Sequence, residues 1–209
     1  MKNNKHTRDL SARFVAKYKE AKLKTLIFED RNDPYLIFGD FFSASGIGGH
    51  LRVLKKFFKY AVNIRSFKKH PADVVMYYET FCKILNAAWV IDETSVRFAD
   101  LTSKETYVGI KTGGVLPDGI LQKCLVEREI SDPYFGIANV FKHAPLEQYH
   151  FRLNDWFKLS LCNDESIAED KKTRQVYKNI VKILICSWLI YEKEVLALIN
   201  EPSQSETVS

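Results

Sequence analysis

Apolar positions along this chain recur every three or four residues rather than every second one, and that spacing predicts helices almost throughout. Over residues 50–62, Leu51, Leu54, Phe58, Ala61 and Val62 gather on one side of a helix. Arg52, Lys55, Lys56 and Lys59 form a stripe on the other. Upstream, Phe14, Val15, Leu23, Leu26 and Ile27 mark the apolar face of a helix that begins near Asp9 or Ser11. Two long helices are expected over about 72–92 and 170–198, and a shorter one over 120–130. Asp33, Pro34 and Tyr35, and again Asp132, Pro133 and Tyr134, read as helix starts. An Asp side chain at the N-cap accepts a free amide of the first turn, and Pro at the next position sacrifices no intrahelical bond. Short helices over 34–42 and 133–141 follow, with breaks at 45–49 and at Ala144 and Pro145. Residues 94–117 leave this period. Within them, 106–110 and 113–117 predict either a short β-hairpin near 106–116 or an irregular connection. The polar tail 201–209 is expected to be disordered.

The same pattern occurs twice. At a fixed offset of 99, residues 24–93 match residues 123–192 at 16 of 70 positions without a gap, where composition alone gives about four or five. The expected fold is therefore all-α: a duplicated helical bundle of two similar three-to-four-helix units, 8–93 and 118–199, joined by 94–117. Pseudo-twofold packing would bring the long helices together, with Leu85, Trp89, Ile183, Leu184 and Trp188 in the shared core. Residues kept in both copies, such as Tyr35 and Tyr134 or Phe58 and Phe157, are best explained as caps and core. Residues that differ between copies are where function is to be sought.

Composition adds boundaries to this picture. A chain of 209 residues with only 9 Gly and 6 Pro suits helices better than a turn-rich sandwich. The four cysteines, at 82, 124, 162 and 186, form no C-x-x-C pair and read as free thiols in a reducing compartment. The most apolar run, 180–190, is 11 residues long and interrupted by Lys182, too short to cross a bilayer. A cytoplasmic protein without a membrane partner is expected. His143 and His150 lack a third ligand in any metal-binding pattern, so neither a metal nor another cofactor is expected. Glu127, Glu129 and Asp132 read as a solvated, charged helix end.

Charge is unevenly placed. Residues 1–72 carry 16 Lys and Arg against 6 Asp and Glu, a net of +10, whereas 73–209 carry 15 against 20, a net of −5. Arg52, Lys55 and Lys56 align with Phe151, Asn154 and Asp155 of the second copy, and only Lys59 has a counterpart, Lys158. Beyond the helix, Arg65, Lys68, Lys69 and His70 align with Asp164, Ile167, Ala168 and Glu169. The leading expectation is thus a non-enzymatic helical module that docks a nucleic acid or an acidic protein on Arg52, Lys55, Lys56, Lys59, Arg65, Lys68 and Lys69. That stripe lacks the Asn and Gln that commonly read bases.

A rival expectation comes from Arg65 and His70, separated by Ser66, Phe67, Lys68 and Lys69 at the mouth of a long helix. This six-residue stretch resembles the R-x4–6-H signature of the HEPN helical ribonucleases. The resemblance implies metal-independent RNA cleavage, with Arg65 positioning the scissile phosphate and His70 acting as acid or base. Histidine suits the role because its ordinary pKa lies near neutrality. A third expectation is a structural protein with no enzymatic role.

Overall fold

In the computed structural model, the residues described are 33–63, 70–95, 97–98, 114–116, 119–161 and 166–196. The chain divides into two units, Met1–Asp33 and Pro34–Ser209, and all the described helices belong to the second. Among the described residues there are helices and no strands. In chain order they are α1 (Pro34–Val62), α2 (Pro71–Thr94), α3 (Ile120–Cys124), α4 (Glu127–Ser131), α5 (Pro133–His143), α6 (Leu146–Leu161) and α7 (Lys171–Ile190). A π-helical turn, Tyr191–Val195, continues from the end of α7.

Several boundaries differ from the expected ones, each for a local reason. The expected break at 45–49 is a kink rather than a loop. Gly46 alone leaves helical geometry (φ 62°, ψ 160°), and the chain resumes its helix at once. Such a positive φ suits glycine, which has no Cβ to clash. The position 99 residues further on is Pro145, and there the chain does separate into α5 and α6. The single helix expected over 120–130 is split at Leu125 and Val126, whose backbones are extended. Leu125 is buried there. Asp132 caps α5 as expected, its Oδ1 accepting from the Phe135 amide at 3.4 Å. Of the expected hairpin near 106–116, residues 114–116 are irregular and the rest lie outside the described residues, as does the tail.

The core is aromatic and continuous. Tyr35, Phe38, Phe42, Phe57, Trp156, Tyr149 and Tyr191 are fully enclosed, along with Leu54, Ile84, Leu85, Ile183 and Leu184. Burying side chains of this size contributes roughly 1.5–3 kcal/mol each. Trp89 is buried and Trp188 half-buried.

A few contacts fall at positions related by the 99-residue offset. Phe58 stacks on Tyr177 (4.5 Å between ring centroids, 26° between planes), and Phe157 stacks on Tyr78 (4.8 Å, 21°). His50 Nε2 meets the Phe41 carbonyl at 2.6 Å, and Tyr149 OH donates to the Val140 carbonyl at 3.1 Å. Tyr35 and Tyr134, each the other's counterpart, touch through their hydroxyls at 3.2 Å. Tyr134 OH also donates to Glu194 at 2.6 Å and accepts from the Phe98 amide at 3.1 Å.

One charged cluster departs from expectation. Glu129, read above as part of a solvated helix end, is 1% exposed. Lys182 Nζ donates to both its oxygens, at 2.8 and 2.9 Å, and the Val126 amide and Asn139 Nδ2 each donate at 3.1 Å. Burial pushes the carboxyl's pKa up, but these donors outweigh it and hold it below the usual range. The lysine that interrupts the apolar run 180–190 is thus the counter-ion of a buried carboxylate. Sequence reading missed the pair because its members lie 53 residues apart.

Candidate anion-binding groove

Helical periodicity builds this site from three elements. On α1, beyond the kink, Gly48, Leu51, Arg52 and Lys55 fall at i, i+3, i+4 and i+7, a single face. On α7, Gln175, Lys178, Asn179 and Lys182 repeat the same spacing, with Tyr177 and Val181 beside them. Ile120, Lys123 and Cys124 of α3 complete the wall. Together they line a groove of about 640 Å³, within the size range of small-molecule sites.

The groove is strongly cationic. Five Lys and Arg side chains line it, and no Asp or Glu does among the described residues. Lys182 is held by Glu129 at the rear. Arg52 Nε donates to the Gly48 carbonyl at 3.2 Å, which steadies the side chain and leaves the rest of its guanidinium fork available. Lys55, Lys123 and Lys178 form no ion pair with any described residue.

Between the cations lie apolar and amide groups. Leu51, Ile120 and Val181 form an apolar lining, joined by Tyr177, whose ring is braced by its stack on Phe58. A directed chain of bonds fixes the amides. Gln175 Nε2 donates to Asn179 Oδ1 (2.8 Å), Asn179 Nδ2 to Tyr149 OH (3.0 Å), and Tyr149 OH to the Val140 carbonyl (3.1 Å). The Cys124 thiol is half-buried. Burial raises its pKa against the opposing pull of Lys182 and Lys123, so the thiolate is a minor species near neutral pH and the thiol reacts slowly with electrophiles. The lining thus offers positive charge, hydrogen bonds and an apolar surface. Among the described residues no group of three metal-ligating side chains comes together anywhere in the fold.

Of the residues singled out from the sequence, Arg52 and Lys55 stand in the groove wall. Lys56 and Lys59 are exposed on the same helix but outside it. Arg65, Lys68 and Lys69 lie outside the described residues. His70 is the N-cap of α2, its Nδ1 accepting from the Ala72 amide at 3.2 Å. Sequence reading missed Lys123, Lys178 and Lys182 because they belong to the stretch with a net negative charge. Their own helical spacing, matching that of 48–55, was the available signal. No protein-family model matches the chain, and no curated protein or solved structure matches it. No described helix is long and apolar enough to cross a membrane.

Proposed function

We propose that this chain is a non-enzymatic helical binding module that docks a polyanion, with nucleic acid as the ligand, on the basic groove and the α1 stripe beside it. The observation that carries the reading is convergence. Arg52 and Lys55 from α1, Lys123 from α3, and Lys178 and Lys182 from α7 face one concavity that no acid lines among the described residues. Concentrating like charges costs electrostatic energy, which a polyanion would relieve while releasing condensed counterions. On this view the chain is an internal duplication with pseudo-twofold packing, the repeats being 8–93 and 118–199. The paired contacts of Phe58 with Tyr177 and Tyr78 with Phe157, and the meeting of Tyr35 with Tyr134, support that part. Only the face containing Arg52 would then have become an anion site, because its counterpart carries Phe151, Asn154 and Glu79 in place of Arg52, Lys55 and Lys178.

Titration of a labelled single-stranded oligonucleotide at several salt concentrations tests this. Four groove cations with no acid partner among the described residues predict a log K against log salt slope of about −3 on a single strand. Lys55→Glu with Lys56→Glu should weaken binding further at every salt concentration. Absence of binding at low salt would refute the proposal.

A further inference from the structure

The groove holds more than charge, and its other surfaces constrain what it takes. A bare polyanion track needs amines and nothing else, yet between the amines lie Leu51, Ile120 and Val181, with Tyr177 at their side. Gln175 presents its amide on the same wall, anchored by the bond to Asn179 and onward to buried Tyr149. In that chain Gln175 and Asn179 both donate toward the interior, so Gln175 Oε1 remains an acceptor for a ligand N–H. The cations are not spread along an open track. They come from three helices around a concavity of about 640 Å³, room for a compact body and not for a duplex. An apolar, flat-tolerant lining, one anchored amide and a cluster of amines match a single molecular unit: a planar base with attached phosphate.

We infer that the groove is a nucleotide subsite, in which one base lies against Leu51, Ile120, Val181 and Tyr177 within reach of Gln175, while its phosphate groups meet Arg52, Lys55, Lys123 and Lys178. The inference rests on reading this groove as the anion site. The same chemistry has two sources, a free nucleoside triphosphate or one unit of a single strand, and the test separates them. It also implies one site per chain, since the offset-related positions carry Met76, Glu79, Phe151 and Asn154 instead.

Cys124 supplies a local reporter, because its half-buried thiol lines the groove while the half-buried thiol of Cys82 lies elsewhere. The full chain is alkylated with a maleimide, site by site, in the presence of nucleoside triphosphates or inorganic tripolyphosphate. A second arm uses a short single-stranded oligonucleotide or its abasic equivalent, and calorimetry gives Kd for each ligand. The base-bearing ligand should bind at least about fivefold tighter than its base-free partner, the low end of what base stacking contributes. It should also slow alkylation of Cys124 and leave that of Cys82 unchanged. A gain with free nucleotides assigns the site to them; a gain confined to the strand assigns it to a strand unit. Leu51→Glu should abolish the advantage of the base, and Lys178→Gln should weaken every ligand about tenfold. Equal binding of base-bearing and base-free ligands in both arms, or no protection of Cys124, overturns the nucleotide inference while the polyanion reading stands. Failure of all four ligands to bind at low salt overturns both.

Discussion

Replacing Lys182 by Met tests the buried ion pair that anchors the rear of the groove. In the native chain Glu129 is 1% exposed and accepts four hydrogen bonds, two of them from the Lys182 amine. The substitution leaves a carboxylate enclosed with two neutral donors, the Val126 amide and the Asn139 side chain. Breaking a buried pair from one side costs about 3–5 kcal/mol. Two donors remain and Lys182 is 21% exposed, so the lower end, about 3 kcal/mol, is expected at pH 7. For a chain of this size that corresponds to a fall in Tm of roughly 6–12 °C. The sign with pH follows from linkage. In the native chain the carboxyl's pKa is held below the ordinary value, so its stabilising contribution is present above about pH 4.5 and fades as pH falls through the native value. In Lys182→Met burial is no longer outweighed and the pKa moves up, so ionisation opposes folding as pH rises. The gap between the two proteins should therefore widen from pH 4 to pH 7. Adding Glu129→Gln to Lys182→Met should restore part of the loss, since a neutral amide needs no counter-ion. Melts followed by circular dichroism at the two pH values read all three quantities. A loss below about 1 kcal/mol, or one independent of pH, would refute the ion-pair account.

Two further substitutions probe the interior. His50 is enclosed, stacked on Phe41 with ring centroids 3.7 Å apart, and burial lowers its pKa against the opposing bond to the Phe41 carbonyl. Native and unfolded chains are both neutral at this site above about pH 6.5. Below that the unfolded chain takes up the proton first, so the unfolding free energy from urea titrations should fall between pH 7 and pH 5.5, by up to about 1.4 kcal/mol per pH unit. His50→Phe should flatten that slope, and an unchanged slope would count against the assignment. A Cβ at Gly136 would lie 2.5 Å from the Cys186 sulfur, so Gly136→Ala should cost about 1–3 kcal/mol through overpacking. Adding Cys186→Ala should recover much of that in denaturant titrations, and strict additivity of the two effects would show that the contact is not the cause.

Helix type and placement were legible because they depend on neighbours in the chain. The three-and-four spacing and the Asp-Pro starts put helices close to where they are found. Gly46 shows where that reasoning ran out. A glycine-rich stretch reads as a turn, but whether the chain bends or breaks depends on what packs against each arm, and here Ile47 and His50 are buried directly after the kink. The site was half legible for the same reason. Arg52 and Lys55 stood out in a run without acids, whereas Lys123, Lys178 and Lys182 were hidden in a stretch of net negative charge.

The sequence by itself determined that the chain is helical, that 16 of 70 positions match at an offset of 99 and that Arg52, Lys55, Lys56 and Lys59 fall on one side of a helix, since periodicity and charge are properties of residue order. Tertiary structure alone decided that Glu129 is enclosed against Lys182, that Lys56 and Lys59 stand outside the groove, and that cations of α3 and α7 join those of α1. Such outcomes follow from distances between segments far apart in the chain, and Coulomb energy and burial depend on those distances rather than on order along the backbone.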